Sequence, residues 1–298
     1  MITMLSMDGR RAFAGNLFIT KEEGLSAQQE RLVASFGSRL SGQLRDWSAK
    51  FVPPGDAGDL EGPDNIVVAL GEDALSEVAK GKGSSPIVAV FISRSSYQEV
   101  IKRTRPGSRV TAVYSDPSPK RQIALIKTLL GEGASAGVIQ SSGVREDVNE
   151  SVLAAKELGV RLRVVDIDRH KNPKSVIESL SGVRALLLQK DKEVFETIPL
   201  DTMLVLAYDI NNLGIIGYSS GVVKNGALAT TYTSLEDTVN SFAVLVRKIE
   251  TSGDIPPPDF SEFYSVSVNK YVMRSLELPE RDDDAVKNSI ADLLKGGK

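Results

Sequence analysis

Residues Leu213–Ser234, LGIIGYSSGVVKNGALATTYTS, decide how this chain is read. An apolar strand runs through Gly214–Gly217 into Tyr218-Ser219-Ser220-Gly221. A short basic bend follows, Val222–Asn225, and Gly226-Ala227-Leu228-Ala229 opens a second strand. The segment Gly217-Tyr218-Ser219-Ser220-Gly221 fits the G-x-S-x-G nucleophile elbow of hydrolases. The same stretch also has the form of a hinge at which a chain leaves one α/β lobe for another. The hydrolase reading needs a histidine base after the serine in chain order. The chain has one histidine, His170, and it precedes Ser219. Without a base the serine has nothing to take its proton, so the hinge is the better reading and no catalytic residue is assigned.

Working outward, strands and helices alternate. Short runs rich in β-branched residues read as buried parallel strands: 16–20, 66–71, 86–93, 137–141, 161–167, 185–189 and 213–219. Amphipathic helices separate them. Residues 26–44 place Leu32, Val33, Phe36 and Leu40 on one face, and residues 235–249 do the same with Val239, Phe242, Val246 and Ile249. Other helices are expected at 120–130, 147–158, 175–180, 193–197 and 285–294. The alternation implies an α/β protein with helices on both faces of parallel sheets. Some twelve strands exceed one comfortable sheet, so two doubly wound lobes are expected. Three Gly/Pro-marked breaks supply hinge crossings: Val110–Pro119, Gly221–Gly226 and Gly253–Asp259. They assign residues 9–112 plus 225–255 to lobe 1, and 113–224 plus 260–298 to lobe 2.

Composition excludes several classes of function. The chain has 298 residues, a net charge of −3 and no cysteine. Thiol catalysis, disulfides and cysteine-ligated metals are therefore absent. The basic residues are scattered, which argues against nucleic acid as a partner. No run approaches the ~20 apolar residues of a membrane span. The first twenty residues lack the apolar core of a signal peptide. No metal or other cofactor is expected, since one imidazole builds no metal site. The run Asp282–Asp284 reads as a helix N-cap, His170 as a surface residue, and Lys80-Gly81-Lys82-Gly83 as no phosphate loop, because it follows a helix. Pro53–Asp64 reads as an exposed loop.

Four segments together resemble a known family. They are Ile66–Leu75 (IVVALGEDAL), Ala112–Ile126 (AVYSDPSPKRQIALI), Gly217–Tyr232 (GYSSGVVKNGALATTY) and Phe263–Leu278 (FYSVSVNKYVMRSLEL). In this order and spacing the chain resembles the periplasmic substrate-binding proteins of ABC transporters with the type I two-lobed fold. Within them it is similar to an uncharacterised group distantly related to tryptophan- and tyrosine-binding members. The resemblance implies a non-enzymatic monomer that captures a small solute between its lobes and presents it to a membrane permease. It also implies a periplasmic location, although this chain carries no export signal. A cytoplasmic sensory domain of the same fold is the alternative.

Ligands of parallel sheets bind at the carboxyl ends of the strands. That rule selects Thr20, Lys21, Gly71, Glu72, Ser93 and Arg94 in lobe 1. In lobe 2 it selects Ser141, Ser142, Gln189, Lys190, Asp191, Ser219 and Ser220. Arg94 suits a ligand carboxylate, or else a solvated position or an ion pair with Glu72 or Asp191. Asp191 suits a ligand amine, or else caps the helix that follows. The serines, with Ser95 and Ser96, suit an anion at helix starts, or plain capping. Tyr114, Tyr218 and Tyr232 lie where an aromatic ring can stack on a ligand, while Tyr208 is read as packing. An amino acid or small carboxylate follows as the expected solute.

Overall fold

The computed structural model describes residues 15–62, 64–141, 145–169 and 172–296. Contacts divide the chain into two units. Unit 1 holds residues up to Tyr114 and Thr238–Asp259, and unit 2 holds Ser115–Asp237 and Phe260–Lys298.

Unit 1 begins with β1 (Gly15–Lys21), α1 (Ala27–Gln43), β2 (Trp47–Phe51), α2 (Pro54–Gly58), β3 (Asn65–Leu70) and α3 (Glu72–Val78). It continues through β4 (Ile87–Ile92), α4 (Arg94–Ile101) and β5 (Val110–Tyr114). The apolar runs form the middle of the sheet, where both faces are covered. Ile66–Ala69 and Val88–Val90 are each no more than 1% exposed. β2 was not legible as a strand, because at the sheet edge only Trp47 is buried and the rest of WSAKF is partly or largely exposed. The loop expected over Pro53–Asp64 contains the short helix α2, started by Pro53-Pro54 with proline at the first helical position. Lys80-Gly81-Lys82-Gly83 serves packing. A Cβ at Gly81 would lie 2.0 Å from the Gly58 carbonyl oxygen, and the Gly83 N–H donates to that same oxygen at 2.9 Å.

Unit 2 runs through α5 (Pro119–Leu130), β6 (Ser135–Gln140), α6 (Arg145–Leu158), β7 (Arg161–Asp166), α7 (Pro173–Glu178), β8 (Ala185–Leu187) and α8 (Lys192–Thr197). Then come α9 (Leu200–Asn211), β9 (Gly214–Ile216), α10 (Ser220–Lys224) and β10 (Ala229–Tyr232). Helix α11 (Leu235–Ser252) carries the chain into unit 1, β11 (Asp259–Phe260) lies beside β5, and β12 (Ser265–Val268), α12 (Lys270–Ser275) and α13 (Asp283–Gly296) complete unit 2.

The strand orders are β11-β5-β4-β3-β1-β2 in one sheet and β12-β10-β9-β8-β6-β7 in the other. Every pairing among β1–β5 and β6–β10 is parallel, whereas β12 runs antiparallel to β10. The two doubly wound α/β sheets are those of the type I two-lobed fold. One boundary differs from expectation. Residues 225–237 were assigned to lobe 1, but Ala229 pairs with Ile216 of β9, and β10 also pairs with β12. The second crossing therefore lies between Asp237 and Thr238. The bend at Gly221–Gly226 is α10 and its turn, an ordinary strand-to-strand connection inside unit 2.

Cores fill both faces of each sheet. In unit 1, Phe36 of α1 meets Phe91 and Phe242 edge to face, with ring centroids 5.3 and 5.9 Å apart. In unit 2 one cluster gathers Ile123, Ile126, Val148, Val286 and Ile290 on one face. A second gathers Ile177, Leu180, Met203 and Val222 on the other. Burying each such side chain contributes about 1.5–3 kcal/mol.

Candidate ligand-binding site

Each sheet has one point where its strand order reverses. In unit 1 this is between β1 and β3, because β2 and β3 lie on opposite sides of β1. In unit 2 it is between β6 and β8, on the same logic with β7 and β8. Connections leave in opposite directions there, which opens a crevice beyond the carboxyl ends of the strands.

In unit 1 the β1 end supplies Thr20, Lys21 and Glu22. Lys21 pairs with Glu30 of α1. Glu22 reaches across the reversal point, and its Oε1 accepts the Asp73 N–H at 3.3 Å. Gly71 makes room for it. A Cβ there would lie 2.2 Å from Glu22 Oε1, and the residue has φ +96°. Glu72 is exposed. A hollow of about 490 Å³ opens beside these residues, walled by Lys21–Glu23, Pro53–Gly55, and Asp73, Ala74, Ser76 and Glu77 of α3. Glu22, which the sequence reading passed over, is the residue that shapes this corner. Its only sequence signal is its place two residues beyond a buried strand. Further along the sheet, Ser93 caps α4 by accepting the Ser96 N–H at 3.0 Å, and its Oγ lies 3.1 Å from Ser95 Oγ. Arg94 opens that helix, half-buried.

Unit 2 closes its own reversal point in a related way. Asp191, only 3% exposed, follows β8 and reaches back to the end of β6. Its Oδ2 accepts the Ser141 N–H at 2.7 Å, and its Oδ1 accepts the Ser141 hydroxyl at 2.8 Å and the Val194 N–H at 3.3 Å. Asp191 is thus the cap of α8 and the clamp on Ser141, so Asp191 and Ser141 serve one another. Ser142 and His170 lie outside the described residues. Gln189 is half-buried and Lys190 exposed; Lys190 Nζ lies 3.5 Å from Asp116 Oδ1 and 5.9 Å from the centre of the Tyr218 ring. Phe195 packs on Tyr218 with centroids 5.8 Å apart, and burial pushes the Tyr218 phenol above its usual range. Ser219 caps α10 by accepting the Val222 N–H at 3.4 Å, and Ser220 is the first residue of that helix.

The remaining tyrosines divide. Tyr114 is buried against Tyr97 with centroids 5.6 Å apart. Tyr232 ends β10 half-buried. Tyr208, read as packing, is 45% exposed. Helix α9 buries Met203 and Ala207, and Tyr208 stands one step further round, away from that stripe. Among the described residues no group of three or more histidine or carboxylate side chains is arranged to hold a metal ion.

The family described as ABC transporter substrate binding protein matches residues 61–285. The chain belongs to that family. No curated protein matches the sequence. Solved structures share the fold at low identity. The ligand-free, open form of a substrate-binding protein with adhesive properties from Clostridium difficile is 15% identical, with a TM-score of 0.65, over 90% of this chain and 96% of that one. A domain from Streptococcus pneumonia in complex with L-Trp is 14% identical, with a TM-score of 0.54, over 93% of this chain and 98% of that one. A periplasmic ribose ABC transporter protein from Conexibacter woesei is 13% identical, with a TM-score of 0.51, over 89% and 95%. Among the described residues no helix is long and apolar enough to cross a membrane.

Proposed function

We propose that this protein is the solute-capturing component of an ABC-type transport system. It takes an amino acid or small carboxylate-like molecule in a cleft between the two units, on the periplasmic side, and delivers it to a membrane permease. It acts without catalysis and as a monomer. The observation that carries this reading is the family match over residues 61–285. The fold supports it: each sheet reverses strand order once, and polar residues gather at both reversal points. The candidate contacts are Thr20, Lys21, Gly71, Glu72, Ser93 and Arg94 from unit 1, and Gln189, Ser219 and Ser220 from unit 2, with Ser141 held in place by Asp191. Ser142 completes the proposed set.

A solute that prefers the closed arrangement of the two units shifts the hinge equilibrium toward it. Native mass spectrometry of freshly purified protein, followed by titration calorimetry with the solute identified, tests the reading. A retained small molecule that rebinds stoichiometrically supports it. Failure to bind any solute from a broad panel of amino acids, organic acids and sugars overturns it.

A further inference from the structure

We infer that Gln122 is a positioning residue for solute capture: its carboxamide replaces one rung of the sheet between β9 and β10 and thereby sets the loop Tyr218–Ser220, from which the ligand contacts of unit 2 are partly drawn. The inference rests on the proposed solute-binding role and deepens it.

The hydrogen bonds of the ladder carry it. β9 and β10 pair in parallel with Ala229 opposite Ile216, and the Gly217 N–H donates to the Ala229 carbonyl at 2.8 Å. Rungs of a parallel ladder are evenly spaced, so the next one would run from the Thr231 N–H to the Gly217 carbonyl. Both groups turn to Gln122 instead. The Thr231 N–H donates to its Oε1 at 3.0 Å, and its Nε2 donates to the Gly217 carbonyl at 2.6 Å. A side-chain amide offers the same donor and acceptor as a peptide group. Here it stands between two strands in place of their own bond, and direct pairing of β9 with β10 goes no further than Ile216 and Ala229.

The core does not require this glutamine. Gln122 is 3% exposed, and Ile123, Ala124, Leu125 and Ile126 follow it on α5, each 0% exposed. An apolar side chain there, with a direct rung from Thr231 to Gly217, would satisfy the same backbone groups without burying an amide. What the glutamine adds is the separation of the two strands at the point where the loop departs. Thr230 does not duplicate it. Its Oγ1 lies 2.7 Å from the Gly217 carbonyl and 2.7 Å from the Thr231 carbonyl, and its single hydrogen serves one of them at a time. On the other side Gly217 has no room to shift, since a Cβ built there would lie 3.0 Å from Val222 Cγ1 of α10. Gly217 is thus gripped from α5 and α10 together. The next residues leave it in fixed directions, Tyr218 onto Phe195 and Ser219 onto the Val222 N–H.

The test uses the full chain and two variants. Gln122→Glu keeps an acceptor for the Thr231 N–H and loses the donor to Gly217. Gln122→Met removes both bonds without introducing a buried charge. Amide exchange is measured on the solute-free proteins. Titration calorimetry follows with the twenty L-amino acids, the acids left when their amines are removed, and a set of monosaccharides. In Gln122→Glu, exchange should speed up at Tyr218, Ser219 and Ser220 while Thr231 stays protected. Both variants, folded at the temperature of the titration, should bind the best of these probes about tenfold more weakly than wild type. A merely structural glutamine would lower the unfolding midpoint and leave the affinity of the folded protein unchanged. Unaltered exchange at Tyr218–Ser220 in Gln122→Glu would overturn the inference. So would wild-type affinity in both variants, and either result leaves solute capture standing. If wild type binds none of the probes, the inference falls together with the solute-binding role beneath it.

Discussion

Asp191 shows at the scale of one residue how a strand-end carboxylate is used. It satisfies two backbone N–H groups and one hydroxyl while almost fully buried. Asp191→Ala removes the acceptor that those donors share and the cap of α8, and should cost about 2–4 kcal/mol. Urea unfolding measures this, and an unchanged midpoint would refute the clamp. A second residue-scale effect is electrostatic. Burial pushes the Tyr97 phenol from 10.0 up to about 12, and its hydroxyl donates to the Val110 carbonyl at 3.2 Å. A raised pKa in the folded state favours folding while the group stays protonated. That contribution is complete below pH 10 and is lost as pH climbs from there through about 12. Tyr97→Phe should be less stable than wild type at neutral pH by about 1 kcal/mol, for the lost hydrogen bond. Its stability should fall less steeply between pH 10 and 12. Melting curves across that range decide it.

At the scale of elements, buried Gln122 joins three pieces of secondary structure. From α5 its Nε2 donates to the Gly217 carbonyl at 2.6 Å, just past β9, while its Oε1 accepts the Thr231 N–H at 3.0 Å and hydroxyl at 2.9 Å on β10. Gln122→Ala should cost about 1–3 kcal/mol and loosen β10. Amide exchange at Thr231 reports it, and full protection retained there would contradict the role. These elements also show what sequence can reveal. β3, β4 and β6 were legible because two-sided burial forces an unbroken apolar run. β2 was hidden by its exposed edge position, and α9 by the unbroken apolar run MLVLAY in LDTMLVLAYDIN, which blurs any stripe. The crossing was placed too early because a glycine-rich turn inside a unit looks the same as one between units. Only the pairing of Ala229 with Ile216 tells them apart. At the candidate site, position after a strand names the loops from which the proposed contacts are drawn. It leaves capping open as the alternative for Ser93, Asp191 and Ser219, and side-chain direction in the structure shows that each caps the helix that follows. Nor did it single out Glu22, whose role needs the long-range approach of Gly71.

At the scale of the whole molecule, the two sheets with separate cores allow two unfolding events, and a shared ligand couples them. A solute held by both units should stabilise both. At one hundred times its dissociation constant it adds about 2.7 kcal/mol, or several degrees, to the unfolding that releases it. Calorimetry with and without the solute identified by native mass spectrometry measures this, using tryptophan fluorescence to follow unit 1 through Trp47, the only tryptophan in the chain. Arg94→Ala in unit 1 and Ser220→Ala in unit 2 extend the comparison. If the solute bridges the units, each substitution reduces the ligand-induced shift of both transitions. A solute that raises the fluorescence transition of unit 1 and leaves the remaining heat absorption where it was is held by one unit alone. That result would remove the interlobe cleft from the proposed function and confine the binding site to unit 1.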